Sequence, residues 1–115
     1  MGRQIIERYG AGGFRVAGVD YVGSVLVFPE RTLAWPVTDI AALTAADLRA
    51  VLEAPMELLL LGTGRRMAPL PAGLRDALRT VQVKVEPMDT GAACRTYNVL
   101  VAEARRVAAA LIAVD

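Results

Sequence analysis

The chain has 115 residues, enough for one domain with a buried core and too few for two. Hydrophobic residues make up 55% and charged residues 22%, which excludes a disordered chain. Thirteen Lys and Arg against twelve Asp and Glu leave a net charge of +1, so the basic field of a nucleic-acid-binding domain is missing. With no His and one Cys, His-based zinc sites, Ser-His-Asp and Cys-His catalysis and an internal disulfide framework are excluded as well.

Residues 1–115 are read as a single domain. The opening MGRQIIERYGAGG is interrupted by charge and glycine where a secretory signal needs an apolar run of about 7–15 residues. It reads as the start of a mature cytoplasmic protein, and a lone thiol fits a reducing compartment. Three runs rich in β-branched and aromatic residues follow, Phe14–Val19, Tyr21–Phe28 and Thr32–Val37, separated by Gly18-Val19-Asp20 and Pro29-Glu30-Arg31. They predict an antiparallel meander. Tyr21–Phe28 is apolar on both faces, which predicts a central strand covered on both sides.

Near Ile40 the period becomes helical. Thr44 and Asp47 have the spacing of a capping box, and Leu48, Val51 and Leu52 recur at i, i+3, i+4 before Pro55 ends the helix. Met56–Leu61, stopped by Gly62, is a continuous apolar run, the signature of a strand buried on both faces and expected at the centre of a sheet. Pro71 suits a helix's first turn, and Leu74, Ala77, Leu78 and Val81 keep helical spacing before the strand Val83–Glu86. This is a βαβ unit, expected to cross over right-handed. From Thr90 to Arg105, Ala93, Tyr97, Leu100, Val101 and Ala104 share one face of an amphipathic helix. Alanine propensity would extend that helix through Val107–Val114, whereas eight residues without a polar face suit a buried strand, the reading adopted here. The same run is far shorter than the roughly 20 residues of a spanning helix, so no membrane span is expected.

The turn Gly62-Thr63-Gly64-Arg65-Arg66 follows a predicted central strand, where parallel sheets commonly bind ligands. It matches neither a Walker loop nor GxGxxG, since Met67 stands at the last glycine position; a tight turn needing positive φ explains it equally well. Asp89 or Thr90 caps the third helix, and that helix start together with Gly62–Gly64 frames a crevice where N–H groups and Arg65 would face an anion. Cys94, beside Arg95 in the first turns, has a setting that favours the thiolate, but it lies at the margin of the apolar face and has no His as base. Tyr97 is expected to pack its ring into the core with its hydroxyl bonded at the edge. Arg95 and Asn98 lie on one side of the helix, either bracing the Asp89 turn or facing a partner. Trp35 reads first as a packing residue and second as a binding contact.

The runs YGAGGFRVAGVDYVGSVLVFP (9–29), LLLLGTG (58–64) and above all MDTGAACRTYNVLVAEARRVAAALI (88–112) resemble the Mth 938-like domain family. It is a domain of unknown function with a eukaryotic branch that includes a mitochondrial assembly factor for respiratory complex I. The resemblance covers nearly the whole chain. It implies a three-layer α/β fold: an N-terminal antiparallel β meander packed with helices and a five-stranded mixed sheet whose last strand runs antiparallel to the rest. It also implies a strand at 107–112. Where the family's helix-to-strand turn carries glycine, this chain has Ala104. The resemblance supplies no catalytic residues. Its recurring positions, Gly62, Gly64, Asp89, Thr90, Cys94, Arg95, Tyr97 and Asn98, mark a shared site or a shared structural joint.

Two functional readings follow. The missing acid–base constellation and the resemblance point to a non-catalytic protein-binding or assembly module, of the kind that serves respiratory complex assembly, with an unidentified protein partner held near Arg65, Arg66, Arg95 and Trp35. The alternative is a small-molecule or anion site, enzymatic or not, between Gly62–Arg65 and Asp89–Asn98. Its candidates are Gly62, Thr63, Gly64, Arg65, Asp89, Thr90, Cys94, Arg95 and Asn98. No catalytic residue, metal ligand or cofactor is assigned, nucleic acid is not expected, and a homodimer is left open.

Overall fold

The computed structural model describes residues 3–115, so Met1 and Gly2, where the expected leaderless start begins, lie outside the described residues. Eight strands form two sheets. The smaller has the order β1 (Ile6–Gly10), β2 (Gly13–Val16), β3 (Val19–Val22), all antiparallel. The larger contains β4 (Ser24–Val27), β5 (Thr32–Trp35), β6 (Leu58–Gly62), β7 (Lys84–Met88) and β8 (Val107–Leu111) in the order β5-β4-β8-β6-β7. Single-turn helical segments precede the short α1 (Arg49–Leu52), α2 (Ala72–Ala77) lies between β6 and β7, and α3 (Thr90–Ala102) leads into β8.

The architecture is the expected α/β arrangement of an antiparallel N-terminal layer, a five-stranded mixed sheet and helices. Burial parity along the strands assigns the layers. Leu26, Leu59, Leu61, Ala108 and Ala110 face a cluster with Leu48 just before α1, Val51 from α1 and Leu74 from α2. Val25, Val27, Leu60, Val107, Ala109 and Leu111 face the opposite way, onto Ile6, Phe14 and Val16 of the small sheet and Ala93, Cys94, Tyr97 and Val101 of α3. The capping box forms as its spacing predicts, with the Asp47 carboxylate accepting from the Thr44 N–H at 3.0 Å. The last apolar run is a strand: all five residues of β8 are buried.

Several expectations are corrected. Tyr21–Phe28 is not one strand, because Gly23 at φ +86° turns the chain out of the small sheet and into the large one. Only L residues pay a steric cost for that conformation, so glycine is what permits the corner. The buried, central half of that run is β4, whereas β3 is largely exposed. The centre of the large sheet is β8 rather than β6. Nor is the last strand antiparallel to the rest: β8 runs parallel to β6, which runs parallel to β7, and it is β4 that opposes both its neighbours. Strand β1 was not expected, since Glu7, Arg8 and Tyr9 are exposed and give it no apolar signature. Its place depends on partners distant in sequence.

Candidate functional site

The carboxyl ends of β6, β7 and β8 meet the N-terminus of α3, and hydrogen bonds fix the junction. The Gly62 carbonyl, at the end of β6, accepts from the Ile112 N–H (3.0 Å). Thr90, wholly buried, donates its hydroxyl to the Ile112 carbonyl (2.8 Å) and accepts from the Gly64 N–H (3.0 Å), while its own N–H donates to the Gly64 carbonyl (2.8 Å). One side chain therefore ties α3 to the ends of two strands. The Thr63 hydroxyl donates to the Arg66 carbonyl (2.7 Å) and accepts from the Ala68 N–H (3.0 Å), curling the following loop back on itself. Gly64, at φ +116°, meets the requirement for a left-handed residue in this turn.

Asp89 caps α3, its Oδ1 accepting from the Ala92 N–H at 2.9 Å. The helix N-terminus is thus satisfied from within by a carboxylate, and the Thr90 N–H is taken by Gly64. This leaves little for the anion that the sequence suggested.

Neither Arg95 nor Asn98 braces the Asp89 turn; both reach back to β1, Asn98 half-buried and Arg95 exposed. The Asn98 amide spans Ile6, accepting from its N–H (2.9 Å) and donating to its carbonyl (2.8 Å). It reproduces the pairing of a neighbouring strand at Ile6, where β1 begins. Arg95 Nη1 donates to the Tyr9 hydroxyl (3.1 Å). Gly91 makes that approach possible, because a Cβ there would lie 2.6 Å from the Tyr9 oxygen.

Cys94 is buried, and burial pushes its thiol up to about 12, outweighing the pull of Arg95. The thiolate-favouring setting read from sequence is therefore overturned by desolvation. The Tyr97 ring lies in the core as expected, but its buried hydroxyl has no partner, and burial, then the Glu30 carboxylate, raises its pKa. Trp35 is also buried, its indole N–H donating to the Asp47 carbonyl (2.8 Å), and so is no surface contact.

Of the sequence candidates, Gly64, Arg65 and Asp89 share one hollow of about 320 Å³, lined also by Tyr9, Gly91, Val114 and Asp115. A neighbouring hollow of about 270 Å³ shares Gly64, Arg65, Val114 and Asp115 and adds Asp39 and Thr63. Tyr9 and Asp115 were not among the candidates. No local signal marks them, since β1 and the chain beyond β8 reach the crevice only through the tertiary fold. A larger hollow of about 420 Å³ opens at the other end of α3, between Arg3, Glu30, Arg105 and Arg106. Two of its charges are paired within the molecule: Arg106 with Glu30, and Arg105 with Glu57 at 2.7 Å.

Among the described residues no helix is long and apolar enough to cross a membrane. The family described as "Protein of unknown function (DUF498/DUF598)" matches residues 6–112. An uncharacterized protein of Rhodobacter capsulatus is 44% identical over 108 residues, covering 93% of this chain and 82% of that protein. NADH dehydrogenase (ubiquinone) 1 alpha subcomplex assembly factor 3 of Xenopus tropicalis is 38% identical over 109 residues, covering 93% of this chain and 60% of the assembly factor. The chain thus spans about three fifths of that relative's length. Among solved structures, a Bartonella henselae protein described as an outer membrane protein superposes with a TM-score of 0.91 at 42% identity, covering 99% of this chain and 98% of that one. A Mth938-like domain from Bordetella pertussis superposes with a TM-score of 0.81 at 33% identity, covering 96% of this chain and 85% of that one.

Proposed function

Because the chain belongs to the DUF498/DUF598 family, which it shares in fold with a Mth938-like domain, we propose that it is a protein-binding, assembly-factor-like module of the cytoplasm, without catalytic chemistry of its own, that serves the assembly of a respiratory complex. The observation that carries this reading is the similarity to a complex I assembly factor over 93% of the chain. The chemistry of the junction supports it. Thr63, Thr90, Asp89 and Asn98 are spent on internal hydrogen bonds, and the one thiol is buried and protonated. What faces outward at the strand ends is the loop Arg65-Arg66-Met67, with Met67 61% exposed. Two guanidinium groups beside an exposed methionine suit an acidic protein surface with an apolar centre. Affinity capture with mass spectrometry, comparing the wild type with Arg65→Ala/Arg66→Ala, should yield a specific partner that the folded variant loses. Failure to recover any partner, alongside turnover of a metabolite, would overturn the reading.

A second reading is favoured by one observation, the hollow that unites Gly64 and Arg65 with Asp89 and Gly91. Two carboxylates, Asp89 and Asp115, against the single Arg65 would suit a small polar molecule bearing a positive group rather than an anion. Thermal shift against a metabolite panel tests it. A ligand at 100 times its dissociation constant adds about 2.7 kcal/mol of stability, and a panel without a hit leaves only the binding-module reading.

A further inference from the structure

We propose that the hollow at the C-terminal end of α3 is a binding site for a small carboxylic acid, a monoanion with a compact apolar body. The inference is independent of the reading above, and the hollow lies at the opposite end of the helix from the crevice. It encloses about 420 Å³, a volume in the range of small-molecule sites, which combine an apolar lining with a few charged groups. Here Pro29, Val101 and Ala104 supply the apolar lining, and Arg3, Glu30, Arg105 and Arg106 the charge.

The charges do not balance. Arg106 is paired with Glu30 and Arg105 with Glu57, whereas Arg3 has no carboxylate partner among the described residues. Outside the lining, Glu103 acts on Arg105 and Arg31 acts on Glu30. Four arginines against three carboxylates leave one positive charge, which a monoanion matches and a dianionic phosphate exceeds. The negative end of α3 is drawn on by its own chain. Its Leu100 and Val101 carbonyls accept from the N–H groups of Arg105 and Ala104, which blunts their repulsion of an anion.

The paired arginines still have donors to offer. Arg106 gives one Nη to Glu30 and Arg105 its Nε to Glu57, so each planar fork keeps further N–H groups for a second acceptor. The Arg106–Glu30 pair is open to solvent, its side chains 42% and 62% exposed. An ion pair in that setting is too weak to hold its arginine against a competing carboxylate. Arg3 stands on a tethered stretch: the next residue, Gln4, donates its N–H to the Pro29 carbonyl (3.1 Å) and accepts from the Thr32 hydroxyl (2.8 Å). The unpaired guanidinium is thereby kept on the Pro29–Glu30 side of the hollow.

Titration of the isotope-labelled protein with phenylacetate at neutral pH, followed through its amide NMR shifts, reads this directly. The shifts should saturate with a dissociation constant on the order of 1 mM or below and centre on Glu30, Val101, Ala104 and Arg106. Neutral phenylacetamide and inorganic phosphate should not saturate them. Arg3→Gln should weaken binding at least about threefold. Arg106→Gln and Glu30→Gln break the same ion pair yet should act in opposite directions. The first should weaken binding at least about threefold; the second removes a competing carboxylate, frees Arg106 and should tighten binding by about as much. A merely structural role for that pair would move both the same way. Absence of saturable shifts with both phenylacetate and octanoate, equal binding of phenylacetamide or phosphate, or shifts centred on Gly64 and Asp89 would each overturn the proposal. So would a common direction for Arg106→Gln and Glu30→Gln. An N-acetylated peptide ending in Phe that binds where the free acids do not would overturn it too, assigning the hollow to the tail of a protein.

Discussion

The two ends of α3 are built to different standards. At its N-terminus Asp89 caps, Thr90 clamps two strands, and each of these side chains has a partner. Toward its C-terminus the Tyr97 hydroxyl is buried without one, and the chain leaves the helix through Ala104 at φ +62°, a left-handed turn on a residue with a Cβ. Stability at the first end can only be lost by substitution, whereas the second end holds costs that substitution can remove. The cooperative joint is thus the one beside the crevice, and the tolerance lies away from it.

The comparison breaks most sharply at Thr90. Thr90→Val keeps the shape but strips partners from the Gly64 N–H and the Ile112 carbonyl, and should destabilise the fold by about 2–4 kcal/mol in urea or thermal unfolding. Midway along the helix, Cys94 sets a pH dependence. Its folded pKa lies above the unfolded value, so the native state holds the proton longer and stability falls as pH rises beyond about 8.5 toward 12. By pH 10 the loss should reach about 1.5–2 kcal/mol relative to pH 7, and Cys94→Ala should flatten that limb of the curve. At the far end the sign reverses. Tyr97→Phe deletes the orphaned hydroxyl and should stabilise by about 1 kcal/mol. Ala104→Gly relieves a left-handed alanine but adds freedom to the unfolded chain, leaving a gain of roughly 0.5 kcal/mol, visible as a small rise in Tm. Loss of stability on either substitution would show that the two ends are more alike than their geometry indicates.

How much of this was legible in the sequence depends on whether the signal was local. β6, β8 and α3 announce themselves through an unbroken apolar run or a helical stripe, because each buries its residues wherever its neighbours come from. β1 offers Ile6 alone as a buried position. It is a strand because β2 pairs with it and Asn98 holds it at Ile6, and neither fact can be read from residues 6–10. The corner at Gly23 did leave a mark, a lone glycine inside an alternating run. Within the candidate site, the rule for strand carboxyl ends brought Gly64, Arg65 and Asp89 together correctly. For Cys94 the two sequence signals opposed each other: its place beside Arg95 favoured the thiolate, its place at the margin of the apolar face favoured an inert buried thiol, and burial wins. Asn98 was singled out as a polar residue that either braces the Asp89 turn or faces a partner; it does neither, and its use inside the molecule depends on a strand 92 residues earlier.

That span carries a consequence for biosynthesis. Strand β1 is held at Ile6 by an amide translated 92 positions later, so that part of its open edge waits until Asn98 has been made. Ribosome-bound intermediates truncated before Asn98 should therefore display β1 with its edge open at Ile6 as well, the state in which a nascent chain is most exposed to pairing with a neighbour.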